Sequence, residues 1–168
     1  MVKKILWALA FILAAALLQS TVFSRLALYI HAIPDMALCI LVYTSYVNGT
    51  MTGQLTGFFS GVLLDFLSAA PLGLNALIRT LTGGLTGFFK GTFYLDTFFL
   101  PVALCAIATI LKASVYFLLH QLFAVVPFYS FFGLTFWVEL GMNSLLAPLL
   151  FALLKLFRPL SAGARENT

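Results

Sequence analysis

The chain has 168 residues, of which 62% are hydrophobic and 8% are charged, and its formal charge is +4. Soluble domains carry about 25% charged residues, so this chain lacks the polar surface that a globule needs in water. Its few basic residues flank apolar segments, which is typical of topology determinants in membrane proteins and not of a nucleic-acid interface. Composition therefore predicts an all-α integral membrane protein.

Six hydrophobic segments follow one another and are predicted to be transmembrane helices. Their approximate bounds are 5–23, 35–47, 51–67, 74–89, 98–123 and 131–157. For the first segment a cleavable signal peptide is the alternative, because Ala14 to Ala16 offer small residues. The second begins at Pro34-Asp35, where proline suits a first turn and an acidic side chain suits the positive end of the helix dipole. It rises only ~21 Å, less than the ~30 Å hydrocarbon core, so it needs bilayer thinning or help from the segment before it.

These helices predict one transmembrane domain over residues 1–157 and a short cytoplasmic tail over residues 158–168. With the N-terminus in the cytoplasm, six spans place six basic residues at cytoplasmic ends: Lys3, Lys4, Lys90, Lys155, Arg158 and Arg165. The outer loops then hold only Arg25. The positive-inside rule favours this arrangement, with both termini cytoplasmic, over one with five spans.

Two short sequences, TGQLTGFFSG at 52–61 and TGGLTGFFKG at 82–91, agree at eight of ten positions. An inverted-repeat transporter is one interpretation, but the first copy opens a helix and the second closes one. Both copies carry glycines four residues apart, on one helix face: Gly53, Gly57 and Gly61, then Gly83, Gly87 and Gly91. Such faces let helix backbones approach closely in lipid. Packing of the two helices together and docking of another protein's helix both remain open.

Four ionisable residues lie within the predicted spans: Asp65, Arg79, Lys112 and Glu139. Each would cost roughly 2.5–3.5 kcal/mol near the bilayer centre, so they should face the interior and pair. Depths counted from the loops at ~1.5 Å per residue predict two pairs, Asp65 with Arg79 and Lys112 with Glu139. Fixing the helix register is one role for such pairs; a proton or substrate path and contact with a partner's helix are the alternatives.

The sixth helix contains Pro148, which has no amide hydrogen and leaves the carbonyl of Ser144 without its helical partner. We expect a bend there, with the side chain of Asn143 or Ser144 satisfying the freed carbonyl.

No motif for a metal, a nucleotide or a catalytic nucleophile is present. Cys39 and Cys105 lie inside apolar segments and have no metal-binding spacing, and the isolated His31 and His120 fall near predicted outer ends. The sequence therefore predicts no cofactor and disfavours an intramembrane enzyme.

Three features together resemble the rod shape-determining protein MreD family. Pro34-Asp35 precedes an apolar segment, and Asn143 and Pro148 lie in a last helix with a basic end. A glycine-rich helix ends in an L-D-x-x-S-x-x-x-L-G motif: Leu64, Asp65, Ser68, Leu72 and Gly73. The resemblance covers nearly the whole chain.

This resemblance implies a non-enzymatic scaffold in the bacterial cytoplasmic (inner) membrane. It implies association with a single-span MreC-like protein. Through that protein it implies an elongation complex of a RodA-like glycosyltransferase, a penicillin-binding transpeptidase and an MreB-like filament.

A second family, the substrate-binding S components of energy-coupling-factor vitamin transporters, is similar in size and helix count. Its small-residue A-x-x-x-A spacing is matched by Ala10 and Ala14. An S component should also line an outward pocket with polar groups, and this chain offers few: His31, Asp35, Gln121, Tyr129 and Glu139.

Overall fold

The computed structural model describes residues 1–23, 33–68, 71–92, 98–123, 126 and 133–157, which form six α-helices and contain no strand. The helices are α1 (Val2–Leu18), α2 (Met36–Asn48), α3 (Thr50–Leu67), α4 (Leu74–Phe88), α5 (Phe99–Leu122) and α6 (Leu134–Lys155). A π-helical turn, Gln19–Phe23, extends α1. The predicted all-α fold is confirmed, and each predicted segment overlaps one helix. The tail at 158–168 lies outside the described residues.

The short helix α2 lies at the centre of the bundle and contacts all five other helices. Every residue from Ala37 to Val47 is buried, as expected for a helix that is apolar on all sides. Its N-cap is Asp35, whose Oδ1 accepts a hydrogen bond from the Leu38 amide at 2.9 Å. Because other helices surround α2, its 13 residues need not match the thickness of a bilayer by themselves.

Three helical segments are long and apolar enough to cross a membrane: Val2–Thr21, Phe99–Leu122 and Leu134–Lys155. Helices α2, α3 and α4 are not among these segments because of their length or their composition. Helices α2 and α4 are short, at 13 and 15 residues, and α3 carries many glycine, threonine and serine residues. The predicted membrane class is therefore supported, whereas the six-span count stays a prediction.

The surface of the bundle is largely apolar, and its interior holds buried polar groups beside an apolar core around α2. Large exposed hydrophobic side chains occur on every helix except α2, among them Leu6, Phe66, Phe88, Phe99 and Leu145. Buried Thr44, Thr82, Thr86 and Thr109 each donate to the carbonyl four residues earlier, at 2.7–2.9 Å. Because each hydroxyl has a hydrogen-bond acceptor within its own helix, these threonines can be buried in the bundle without the cost of an unpaired donor.

Successive helices run in alternating directions, so four of the described basic residues gather at one end, whereas Arg79 and Lys112 lie within the bundle. Lys3 and Lys4 lie in the first turn of α1, Lys90 follows α4, and Lys155 ends α6. At that end Lys90 Nζ donates to the Asn48 carbonyl at 3.2 Å. Arg25, Arg158 and Arg165 lie outside the described residues.

Helices α3 and α4 pack antiparallel through their glycines, and we call this contact the glycine interface. A Cβ added to Gly53 would lie 2.3 Å from the Gly83 carbonyl oxygen, and one added to Gly57 would lie 2.2 Å from the Arg79 carbonyl oxygen. One added to Gly61 would lie 2.3 Å from Ala76 Cα, and one added to Gly87 would lie 2.6 Å from Thr50 Cα. Real Cβ atoms do not approach backbone this closely, so the glycines are required for the contact.

The alternative that a partner helix docks on these glycines is therefore wrong for the five glycines that the other helix covers: Gly53, Gly57, Gly61, Gly83 and Gly87. Gly91 was expected on the same face, but it lies beyond the end of α4, and a Cβ added there meets nothing within 4 Å. Gly53 and Gly83, the second residues of the two repeat copies, face each other reciprocally. From that crossing point one copy runs toward each end of the bundle, so the copies do not occupy equivalent places in two halves. Close packing accounts for the shared residues without a transporter-like duplication.

Candidate functional site

Asp35 is the centre of a buried group of charges formed with Arg79, Lys112 and Glu139, which we call the charged cluster. Its Oδ1 lies 2.8 Å from Arg79 Nη2 on α4, and its Oδ2 lies 2.9 Å from Lys112 Nζ on α5. Its amide also donates to Asn143 Oδ1 on α6 at 2.7 Å. A residue that precedes the central helix thus connects three other helices.

Lys112 bridges two carboxylates. Its Nζ lies 2.6 Å from Glu139 Oε1 as well as 2.9 Å from Asp35 Oδ2. The predicted pairing of Lys112 with Glu139 is confirmed, and its second partner was not foreseen. The four side chains carry two positive and two negative formal charges, so the cluster is neutral as a unit. That balance makes burial of the charges tolerable at membrane depth.

Asn143 joins the charged cluster through both ends of its side-chain amide. While Oδ1 accepts from Asp35, Nδ2 donates to Thr109 Oγ1 on α5 at 3.0 Å. The residue is completely buried, so each bond removes a polar atom that would otherwise lack a partner. The amide therefore ties α6 to α2 and α5.

This use of Asn143 corrects one expectation about Pro148. The side chain of Asn143 bonds to Asp35 and Thr109, not to the carbonyl that Pro148 leaves free. Helix α6 continues through Pro148 from Leu134 to Lys155. The bend near Ser144 stays a prediction.

The predicted pairing of Asp65 with Arg79 is wrong. Arg79 bonds to Asp35, and Asp65 instead accepts hydrogen bonds from the first turn of α4. Its Oδ2 accepts from the amides of Gly73 at 2.9 Å and Ala76 at 3.2 Å, and its Oδ1 accepts from the Asn75 amide at 2.9 Å. A carboxylate at a helix N-terminus satisfies otherwise unpaired amides and complements the dipole.

The loop glycine fits this arrangement. Gly73 has φ +95°, which residues with a Cβ rarely adopt, and this conformation directs its amide toward Asp65. Asp65 and Gly73 belong to the L-D-x-x-S-x-x-x-L-G motif, so the motif encodes a helix cap between α3 and α4.

A cavity of about 470 Å³ lies beside the charged cluster. Asp35, Arg79, Lys112, Glu139, Asn75 and Tyr116 provide its polar lining, and Gln19 and Ser20 add polar groups from the end of α1. Ala16, Leu17, Leu64 and Leu67 provide apolar wall from α1 and α3. All these residues lie toward the end of the bundle opposite Lys3, Lys4, Lys90 and Lys155, because they come in the later parts of α1, α3 and α5 and early in α4 and α6.

The polar lining of the cavity is mostly committed to internal bonds. Asn75 Nδ2 donates to Asp65 Oδ1 at 3.0 Å, and the Tyr116 hydroxyl donates to Asn75 Oδ1 at 3.4 Å. Arg79 differs, because its Nη1 is buried and has no hydrogen-bond partner among the described residues. The ion-paired groups of the cavity lining are thus satisfied internally, and the unpaired Arg79 Nη1 is buried away from the accessible space of the cavity.

Sequence reasoning missed Asp35 as an ion-pair partner, although its position before a short apolar helix was noted. If Asp35 had been counted as a fifth intramembrane charge, it would have supplied a carboxylate partner for Arg79. Asp65 would then not have been needed as that partner. Of the polar groups proposed for an S-component pocket, Asp35 and Glu139 line the cavity. His31 and Tyr129 lie outside the described residues, and Gln121 is not among the lining residues.

The geometry can now be compared with known proteins. No curated protein and no solved structure matches the chain. The family described as rod shape-determining protein MreD matches over residues 1–157, which include all six helices and the whole charged cluster. The chain therefore belongs to the MreD family.

Proposed function

We propose that this protein is a non-enzymatic scaffold of the bacterial cell-wall elongation machinery, in which it holds an MreC-like single-span partner. Membership of a rod shape-determining family over residues 1–157 carries the proposal. The partner would link it, directly or indirectly, to a RodA-like glycosyltransferase, a penicillin-binding transpeptidase and an MreB-like filament.

The interior of the bundle supports a scaffold role. The glycine interface joins two consecutive helices, and the charged cluster joins helices that are distant in the sequence, so the outward faces are held in fixed relation to one another. A helix that arrives from the bilayer meets large apolar side chains on those faces, such as Leu81, Leu118 and Leu149. Partner binding in lipid then depends on van der Waals packing against a rigid surface.

The test is co-purification in mild detergent with an MreC-like protein from the same cell. A photo-crosslinking residue placed in turn at Leu81, Leu118 and Leu149 should capture the partner from one face of the bundle. Gly57→Leu is not a docking test, since that residue is internal. Purification without any MreC-like protein, but with a bound vitamin or a coupling ATPase, would overturn the proposal.

Purification with a bound vitamin or a coupling ATPase would support the second candidate function, an S component of an energy-coupling-factor transporter. The cavity beside the charged cluster favours it, because S components need an outward pocket with converging polar groups. The two functions differ in partner, a single-span protein or an ATPase module, and the purification experiment therefore separates them.

We further propose that the protein is multi-pass in the cytoplasmic membrane, with six spans and both termini in the cytoplasm. Lys3, Lys4, Lys90 and Lys155 gather at the end of the bundle where α1 begins and α6 ends, as the positive-inside rule requires of a cytoplasmic side. Thr168→Cys should resist an impermeant thiol reagent in intact spheroplasts and react after permeabilisation. The buried Cys39 and Cys105 should contribute little background, and labelling of intact cells would contradict the topology.

A further inference from the structure

The cavity beside the charged cluster has polar residues on every side. Each of the six helices contributes at least one of them, from within the helix or from a residue next to its end. Gln19 and Ser20 come from the π-helical turn that extends α1, and Ser68 follows α3. The volume of about 470 Å³ lies within the range of roughly 300–1,000 Å³ that is typical of small-molecule sites. A ligand in this cavity therefore meets hydrogen-bonding groups in several directions.

Lys112 is the member of the charged cluster that retains a donor for a ligand. Its side chain is the most exposed of the four, at 17% against 6% for Arg79. An ammonium group has three hydrogens, and two of them are directed to Asp35 and Glu139. No described residue accepts the third. Because Lys112 lines the cavity, that hydrogen is available to an acceptor oxygen.

Three other lining residues also keep hydrogen-bonding capacity among the residues that the structure describes. Gln19 Nε2 donates to the Pro34 carbonyl, which leaves the amide oxygen and a second hydrogen of Gln19 unused. Ser20 Oγ donates to the Leu17 carbonyl at 3.0 Å, so its oxygen can still accept. Asn75 Nδ2 donates one hydrogen to Asp65 and keeps another. The cavity therefore offers both donors and acceptors.

A charged ligand would find no counter-charge in this cavity. Both oxygens of Asp35 and Oε1 of Glu139 are bonded to Arg79 and Lys112, and the four charges balance. An anion placed on Lys112 would lie beside two carboxylates, and a cation placed on either carboxylate would lie beside the ammonium group. Because an ion that leaves water without a new partner is costly, the ligand should be neutral.

The mouth of the cavity lies at the end of α1. Leu17 and Ser20 line the cavity and are also exposed at the surface of the bundle. Apolar residues such as Ala16 and Leu64 lie among the polar ones on α1 and α3. A polyol fits this mixed lining, because its C–H groups alternate with hydroxyls that both donate and accept.

We propose that this cavity binds a neutral, hydroxyl-rich molecule of monosaccharide size. One hydroxyl oxygen accepts from Lys112 Nζ, and other hydroxyls bond to Gln19 and Ser20. The site needs neither a protein partner nor a coupling ATPase. Absence of polyol binding would leave the scaffold proposal intact, and absence of an MreC-like partner would leave this site intact.

Equilibrium dialysis of the full chain against radiolabelled probes tests the site, in a detergent that has no sugar headgroup. Glucose and myo-inositol are the neutral probes, gluconate is the anionic analogue of glucose, and glucosamine, kept protonated below neutral pH, is the cationic one. The expected result is saturable one-to-one binding of a neutral probe, with both charged analogues at least about tenfold weaker than glucose. No saturable binding of either neutral probe, or a charged analogue that binds as tightly as glucose, would overturn the proposal.

Two variants locate the site, each with a matched control. Gln19→Leu removes the amide from the cavity and should weaken binding of the neutral probe about tenfold. Gln121→Leu, the same change at an exposed position outside the lining, should not.

The second pair adds bulk on α1 without removing a hydrogen bond. Ala16→Phe fills part of the cavity and should abolish binding, whereas Ala14→Phe, on the exposed side of the same helix and outside the lining, should leave it unchanged. If Gln19→Leu fails to fold, the Ala16 and Ala14 variants still decide the question. Unchanged binding in Ala16→Phe would contradict the site.

Discussion

The glycine interface and the charged cluster hold the same bundle together by opposite means. In the glycine interface two consecutive helices touch backbone to backbone at glycines that have no side chain, and the contact contains no ion pair. In the charged cluster long ionic side chains from helices far apart in the sequence meet, and a cavity remains beside them. The comparison shows two ways to pack the interior of a membrane protein. Neighbouring helices pack closely where glycines replace larger residues, and buried charges are tolerated where several helices bring opposite charges together.

The largest expected effect comes from adding bulk to the glycine interface. Gly57→Leu would drive a side chain into the Arg79 carbonyl, 2.2 Å from the new Cβ, and because the obstacle is backbone the cost should exceed the ~1–3 kcal/mol of ordinary overpacking enough to prevent folding. We expect loss of monodisperse protein on size-exclusion chromatography in detergent. Gly141→Leu is the matched control, because an added Cβ there meets nothing within 4 Å, and it should fold normally. Equal behaviour of the two variants would mean that the glycine interface is not tight.

Removing the centre of the charged cluster should have the next largest effect. Asp35→Ala leaves Arg79 without its carboxylate and Lys112 with only Glu139, and also removes the cap of α2. Breaking a buried pair by deleting one partner costs about 3–5 kcal/mol, and we expect the lower end of that range because Lys112 keeps one bond. The free energy of unfolding in mild detergent measures it. A loss below about 1 kcal/mol, as for a surface pair, would show that the cluster is not stabilising.

Double-mutant cycles can determine whether Asp35 or Asp65 is the ion-pair partner of Arg79. Asp35→Ala and Arg79→Ala should be coupled by about 1–3 kcal/mol, because the double variant removes a mutual bond only once. Asp65→Ala and Arg79→Ala should be additive within about 0.5 kcal/mol. Coupling of the second pair alone would restore the pairing that depth counting suggested and contradict the observed contact.

The smallest expected effect concerns the cap of α4, which lies between the two regions. Asp65→Ala removes the acceptor for the amides of Gly73, Asn75 and Ala76, and a lost cap costs about 1–2 kcal/mol. Hydrogen exchange should accelerate at Asn75 and Ala76 and stay unchanged in α6. Asp65→Asn, which keeps an amide oxygen, should recover part of the protection. Faster exchange throughout the bundle would indicate a wider role for Asp65.

Much of this organisation could be read from residue patterns. The apolar segments gave six helices close to their observed bounds, because hydrophobicity and turn residues act locally. Glycines four residues apart predicted a close helix contact, since helical periodicity alone places them on one face. Lys112 and Glu139 were paired correctly because α5 and α6 are consecutive antiparallel helices, where counting residues from the loop gives the depth of each.

The same counting failed for Asp65 and Arg79, and the reason is lateral position. Rise per residue fixes the depth of a side chain in a helix, but not which neighbour it faces around the helix axis. Asp65 and Arg79 have similar depth on adjacent helices, yet Asp65 turns to the amides of the α4 N-terminus while Arg79 turns to Asp35.

The sequence by itself determined the membrane class, the helices, the need for internal charge pairs and the motif that resembles the MreD family. Only the tertiary structure decided that α2 is central, that Asp35 joins Arg79 and Lys112, and that Asn143 links α2, α5 and α6. It also decided that the glycine stripes cover each other. These contacts join residues up to 108 positions apart, so they depend on how six helices share one interior, and no local pattern encodes that arrangement.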